Sequence, residues 1–241
     1  DRRRRSLPGF RFRSVVKHDL LGTIHKNSYA QRDQIAQVFD DRDFFESLRL
    51  EPYYAYTAEQ VPEAASFLKQ LIEDTLRRRF ALVHGDYSPK NILVHDNRLI
   101  LLDHEVIHFG DPAFDLGFSM THLLSKAHRL VGDRDLFAEA TNQYWRSYQE
   151  HVRHLPWYSD LETYAVRHTL ACLLARVEGR SPLEYLNDAE RAQQRRVQAP
   201  VVDDQVRRRR RLVGVRQVER DPVVRPDRLH LDAQLLAQAR R

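Results

Sequence analysis

The stretch His84-Gly85-Asp86-Tyr87-Ser88-Pro89-Lys90-Asn91, with the apolar runs at 92–94 and 99–102 behind it, interrupts an otherwise helical pattern. Gly85 and Pro89 disfavour regular structure there and make a loop. The two apolar runs flank the turn-forming pair Asp96-Asn97, so they read as a hairpin. With the turn centred on that pair, antiparallel partners have numbers summing to about 193 or 194, which sets Asn91 opposite Leu102 or Asp103.

Outward from the hairpin the pattern is helical. Residues 61–79 show an amphipathic helix, with Pro62 near its start and Ala64, Phe67, Leu68, Leu71, Ile72 and Leu76 along one face. Residues 80–83 form a short apolar strand leading into the loop. Further upstream, residues 18–29 make a short helix around Leu20, Leu21 and Ile24, and Asp19 favours its N-terminal end. Downstream, Gly110-Asp111-Pro112 breaks the chain before three helical patterns at 115–130, 135–151 and 159–178. The last has an apolar face of Leu161, Tyr164, Ala165, Leu170, Leu173 and Leu174, and Gly179 and Pro182 end it. There is no internal repeat. The expected fold class is α+β, mostly helical, with a small central β-hairpin.

The hairpin brings an amide oxygen, Asn91, to a carboxylate, Asp103. Both are ligands that Mg²⁺ accepts while keeping waters and phosphate oxygens in its other positions. Asp86 stands at the end of a strand on a sharply bent loop, where a carboxylate can take the proton of an attacking hydroxyl. Lys90 sets a cation beside the same loop, where charge developing on a transferred phosphoryl group needs stabilisation.

Three motifs in this order, His84-Gly85-Asp86 with Asn91 five residues after the aspartate, Leu101-Leu102-Asp103-His104-Glu105, and Gly110-Asp111-Pro112-Ala113-Phe114-Asp115-Leu116-Gly117, resemble those of the aminoglycoside phosphotransferase and choline kinase group of protein-kinase-like enzymes. The resemblance covers about residues 21–186. It implies transfer of the γ-phosphoryl group of ATP, or of GTP, to a hydroxyl of a small molecule. By the same resemblance Asp86 is the catalytic base, Asn91 and Asp103 bind the magnesium of the nucleotide, and Glu105 is an auxiliary metal or water ligand. Asp111 and Asp115 brace the catalytic loop and start the next helix, and residues 21–25 and 179–186 belong to the acceptor-binding lobe. Such kinases carry an N-terminal nucleotide lobe of on the order of a hundred residues. Only about twenty residues precede the first matching helix here, and they show no glycine-rich hairpin or lysine-bearing strand. The expectation is therefore a kinase-like C-terminal lobe whose nucleotide lobe is largely missing and whose activity alone is weak or absent. The alternative is a non-catalytic remnant of such a lobe, or a basic-tailed binding protein.

A competing motif overlaps the second one. His104-Glu105-Val106-Ile107-His108 satisfies H-E-x-x-H, a zinc signature that works on a helix, where residues four apart share a face. Here it follows a strand, contains the extension-favouring Val106 and Ile107, and meets Gly110-Asp111-Pro112, so an accidental match is expected. His84 reads as scaffold, and Tyr87 and Ser88 as loop packing. Tyr144, Trp145, Tyr148 and Trp157 stand at helical spacing, which suits core better than a substrate wall.

Charge divides the chain. Its 241 residues carry a net +5, yet residues 18–190 hold eighteen Lys/Arg against twenty-seven Asp/Glu, and the excess of arginine lies in residues 1–17 and 191–241. The expected organisation is a basic irregular segment (1–17), the kinase-like lobe (18–190), and an Arg-rich tail (191–241) that is irregular or translated out of the family's frame. Neither helical nor strand periodicity survives from 198 to 227. No base-reading element accompanies the run Arg207 to Arg211, which argues against nucleic acid as a partner. The acidic lobe suits a cationic hydroxyl acceptor. The lone Cys172 excludes a disulfide framework and fits a reducing compartment. No apolar run approaches the roughly 20 residues of a membrane helix, so the expectation is a cytoplasmic protein without a membrane partner.

Overall fold

The computed structural model describes residues 20–96, 98–183 and 186–195. The expected irregular ends, 1–17 and 191–241, lie outside them except for 191–195, which continue a helical stretch from 188. The described part is mostly helical with two small antiparallel sheets, an α+β arrangement. Helix α1 (Leu20–Ala30) buries Leu21, Gly22, His25 and Ser28, a stripe with nearly helical spacing. It is followed by α2 (Arg32–Val38).

Residues 43–60, which carry no clear periodicity, are continuously helical. A short α3 (Asp43–Phe45) runs into a π-helical stretch (Glu46–Ala55) and then α4 (Tyr56–Gln60). Pro52 lies within the π-helical part. Proline removes one N–H donor and crowds the preceding turn of an α-helix, and the wider π turn relieves that crowding. This stretch buries Arg49, Leu50, Tyr53 and Tyr54.

The helix read at 61–79 is present as a 3-10 turn (Pro62–Ala64) and α5 (Ala65–Arg77), which buries Phe67, Leu68 and Leu71. Strand β1 (Ala81–Val83) follows. The central hairpin is β2 (Ile92–His95) and β3 (Arg98–Leu101), with Ile92 opposite Leu101 and His95 opposite Arg98. Both pairs sum to 193, inside the register expected. A second ladder was not visible in the pattern: β1 pairs with β4 (His108–Gly110), Val83 facing His108 and Ala81 facing Gly110.

Helix α6 (Pro112–Arg129) is the centre of the molecule. Asp111 caps it by accepting from Ala113 N at 3.1 Å, and Pro112 occupies its first turn. Phe114 and Phe118 join one apolar cluster, with Phe45, Tyr54, Leu68, Leu71 and Leu170. Ala113, Leu116 and Met120 join another, with Leu21, Tyr148 and Trp157. Helix α7 (Arg134–Val152) and α8 (Leu161–Glu178) complete these clusters. Tyr148 and Trp157 are therefore core, as their spacing predicts, with Tyr144 and Trp145 packed at the margin.

Helix α8 is buried nearly all round from Arg167 to Arg176, not on one face alone. Its buried charges need partners. Arg167 donates to Asp74 Oδ2 at 2.6 Å. His168 Nδ1 shares a hydrogen bond of 2.8 Å with the Tyr54 hydroxyl. Gly117 permits the close approach of α6 to α8, since a Cβ there would stand 2.7 Å from the His168 carbonyl carbon and Thr169 N.

The H-E-x-x-H residues are not on a helix. Residues 102–107 form a turn and irregular chain, and His108 belongs to β4. His108 is buried, donates Nδ1–H to the Val106 carbonyl at 2.9 Å and stacks on Phe45. Burial pushes its pKa down to about 4, so the folded protein keeps it neutral where the unfolded chain, titrating near 6.5, takes up a proton. Stability therefore falls as pH drops from about 6.5 towards about 4, by on the order of 3 kcal/mol from this residue. The expected result is a melting temperature that declines over this window, and a shallower decline in His108→Asn. An unchanged slope would assign the acid sensitivity elsewhere.

Candidate active site

Asp86 sits where β1 runs out into the loop, 2% exposed. The loop backbone before it is fixed from two sides. His84 N and Gly85 N donate to the two carboxylate oxygens of Asp115 at 2.7 and 2.8 Å, and Arg49 Nε donates to the Gly85 carbonyl at 2.8 Å. Gly85 has φ +77°, and a Cβ there would stand 2.8 Å from Val106 Cγ2 and 3.0 Å from the Val106 carbonyl oxygen. Only glycine fits both the conformation and the space. His84 is scaffold, as its sequence context predicts. Its Nδ1 accepts from Asp86 N at 3.2 Å, which leaves Nε2–H to donate to the Leu102 carbonyl at 2.9 Å and ties the loop to the end of the hairpin.

The two oxygens of Asp86 differ. Oδ2 is crowded by Asn91 Nδ2 at 2.9 Å, Lys90 Nζ at 3.0 Å and Arg49 Nη2 at 3.2 Å. Oδ1 is buried and has no hydrogen-bond partner among the described residues. Asn91 also donates to the Asp86 carbonyl at 2.9 Å, and its own carbonyl accepts from Leu102 N at 2.9 Å, so the hairpin register does join Asn91 to the segment ahead of Asp103.

A cavity of about 510 Å³ opens over this loop, and Asp86, Lys90, Asp103 and Glu105 line it. Asn91 does not: it is buried behind Asp86. Asp103 is exposed, adopts φ +63°, and forms no hydrogen bond or ion pair with any described residue. Aspartate tolerates this left-handed conformation better than most residues, and it turns the chain out of β3 at the cavity. Among the described residues no group of three or more His, Cys, Asp or Glu is arranged to hold a metal by itself. The residues present nevertheless fit a magnesium that completes its shell with phosphate and water. The Asn91 amide donates from Nδ2, leaving Oδ1 as an acceptor, and the Asp103 carboxylate is unpaired.

The two aspartates divide the roles that the resemblance gives them as a pair: Asp115 holds the loop, and Asp111 starts α6. Asp115, fully buried, also contacts His25 Nε2 at 3.3 Å, and His25 Nδ1 meets the Tyr148 hydroxyl at 2.7 Å. Asp111 accepts from Arg78 Nε at 2.7 Å, and Arg78 reaches on to Asp160 at 2.7 Å. Burial alone raises both carboxyl pKa values. For Asp111, His168 and Arg78 outweigh it, and for Asp115, His25 and the His84 N–H do, so both lie below the ordinary range.

A model of the phosphotransferase enzyme family matches residues 17–161. The chain belongs to that family. No curated protein sequence matches closely enough to name a relative. The chain is thus a kinase-like phosphotransferase at the level of reaction class, and the family match takes in the 84–91 loop, the hairpin and α6. No helix among the described residues is long and apolar enough to cross a membrane.

Sequence reasoning missed several residues of this phosphotransferase cavity. Arg49 and Tyr53 come from the π-helical stretch, His122 and Lys126 from α6, and Arg176 from α8. The i,i+4 pair His122 and Lys126 and a lone arginine after the apolar run 170–175 are the signals that mark three of them.

Proposed function

We propose that the protein transfers the γ-phosphoryl group of ATP to a hydroxyl of a small molecule, with Asp86 as the base. The observation that carries this is the buried, unpartnered Oδ1 of Asp86, on the wall of a cavity shared with Lys90 and Asp103. An acceptor hydroxyl that donates to Oδ1 satisfies that oxygen and is oriented for attack. Its oxygen bonds to the γ-phosphorus as the bond from that phosphorus to the bridging oxygen breaks. The hydroxyl proton passes to Asp86 Oδ1, and the electron pair of the broken bond leaves on ADP.

The remaining contacts act on Asp86 itself. Asn91, Arg49 and Lys90 hold Oδ2, which leaves Oδ1 as the oxygen with capacity to accept. Lys90, half released into the cavity, is placed to draw off charge from the transferred group. Asn91 Oδ1 and the Asp103 carboxylate are the residues that would hold Mg²⁺, with Glu105 at the rim, and the ion would neutralise phosphate charge.

The test is nucleotide binding. A ligand that binds only the folded state raises its melting temperature. Mg-ATP at millimolar concentration is expected to do so, and Asp103→Ala to lose most of the shift. Asp103 is exposed and pairs with no described residue, so the substitution costs only the strain of alanine at φ +63°, about 1 kcal/mol, and the shift is read against the variant's own melting temperature without nucleotide. No shift in the unsubstituted protein would overturn the reading.

A further inference from the structure

The part of the cavity lining that α6 and α8 supply has a different chemistry. His122 and Lys126, one turn apart on α6, share it with Arg176 of α8. Arg176 is more than nine-tenths buried, yet it pairs with no carboxylate among the described residues. Its Nη1 donates to the Ser181 carbonyl at 2.9 Å and the Ser181 hydroxyl at 3.1 Å, its cation lies over the Tyr53 and Phe118 rings, and its Nε is buried without a partner. Among the described residues Lys126 has no carboxylate partner either, and the buried His122 Nε2 has no hydrogen bond. Burial first, then Arg176, drives the His122 pKa down to about 4, so the imidazole is a neutral hydrogen-bonding group beside two fixed cations. Of the cavity's three acids, Asp86 is engaged by Arg49 and Lys90, Asp103 is assigned to the nucleotide's metal, and Glu105, exposed, forms no ion pair with Arg176 or Lys126.

We infer that this wall seats an anionic group of the acceptor, a carboxylate or phosphate carried on the same small molecule as the reacting hydroxyl. Arg176 and Lys126 bind the anion, and His122 Nε2 hydrogen-bonds to it. The inference rests on Asp86 being the base for the acceptor hydroxyl. It reverses the cationic acceptor suggested by the acidic composition of residues 18–190, because composition averages over surfaces that do not meet the substrate. A buried cation without a counter-ion is unfavourable, and an arriving anion removes that cost while forming charge-assisted hydrogen bonds.

The experiment uses the full chain and two matched series. One is glucose, gluconate, glucose 6-phosphate and glucosamine. The other is glycerol, glycerate, glycerol 3-phosphate and 3-amino-1,2-propanediol. Binding is measured calorimetrically with saturating Mg-ADP, and product by phosphorus NMR with Mg-ATP. An anionic member is expected to bind at least about tenfold more tightly than its neutral parent, and Lys126→Gln or Arg176→Gln to remove about tenfold of that preference. Lys126→Gln is the safer variant, because Arg176 packs beneath two rings.

Tighter binding of the amino compounds, no binding by any member, or a preference that survives both substitutions overturns the inference. Anion binding that Mg-ATP displaces also overturns it, by assigning the wall to the nucleotide's phosphates. Phosphorylation of glucosamine alone refutes the anion seat and leaves the phosphotransferase reading standing. Lysine-dependent anion binding that never yields product does the reverse.

Discussion

Asp86→Asn is expected to lower phosphoryl transfer by about 10²- to 10⁴-fold while Mg-ATP still raises the melting temperature, because general-base catalysis contributes on that order. The substitution keeps the shape of the side chain and removes the proton acceptor. An amide can still offer its oxygen to Asn91 and Lys90 at the Oδ2 position, which leaves an NH₂ where Oδ1 stood. That group can donate to the acceptor hydroxyl but cannot take its proton. ADP formation with the best acceptor of the two series reports the loss. Asp86→Ala differs in a diagnostic way. Both variants remove the counter-charge of Arg49, whose side chain is 11% exposed and which keeps its hydrogen bonds to the Gly85 and Leu48 carbonyls, but Asp86→Ala also removes the oxygen that accepts from Asn91 and faces Lys90. Buried donors left without their acceptor destabilise, so the alanine variant should melt lower than the asparagine variant. Turnover within tenfold of the unsubstituted protein in Asp86→Asn would remove the carboxylate from the reaction.

What was legible in the sequence follows from how far the informative contacts reach along the chain. The hairpin could be read to within one residue of register because its turn and both apolar runs lie within a dozen positions, and the register then predicts the Asn91 to Leu102 bond. Strand β4 could not be read. Three residues show no period, and the partner of His108 is Val83, beyond the whole hairpin. Residues 43–60 failed for another reason: Pro52 and the π turns around it shift the buried positions away from a 3.6-residue repeat. Arg49 was invisible on both counts, since no motif contains it and its partner is the backbone and carboxylate of a loop 36 residues later. The 84–91 loop and its place at the end of β1 were legible because residue type and short spacing define them. The lining from α6 and α8 was not, because Arg176 and Lys126 stand out by having no carboxylate partner among the described residues, which only a three-dimensional neighbourhood shows.

Asp115→Ala is expected to cost about 3–5 kcal/mol of stability and to lower turnover as well, although Asp115 lines no part of the cavity. The carboxylate is fully buried and accepts from His84 N and Gly85 N, besides its contact with His25. Removing it leaves two buried backbone donors without acceptors at the two residues immediately before Asp86. Asp115→Asn keeps one acceptor oxygen but turns an NH₂ towards the other N–H, so it should fall between the alanine variant and the unsubstituted protein. The pH dependence separates this from a simple packing defect. Because the folded pKa of Asp115 lies below its unfolded value, its contribution is present above that unfolded value, about 3.9, and is lost as pH falls through the folded one. The stability gap between the unsubstituted protein and Asp115→Ala, measured by urea unfolding, should therefore narrow as pH drops below about 4. A gap that is small at neutral pH, with normal turnover, would mean that Arg49 on the Gly85 carbonyl and His84 on the Leu102 carbonyl hold the loop unaided. A large gap that does not vary with pH would trace the loss to packing around α6. Only a large, pH-dependent gap accompanied by lost turnover identifies the Asp115 carboxylate as the group that converts the burial of α6 into the position of Asp86.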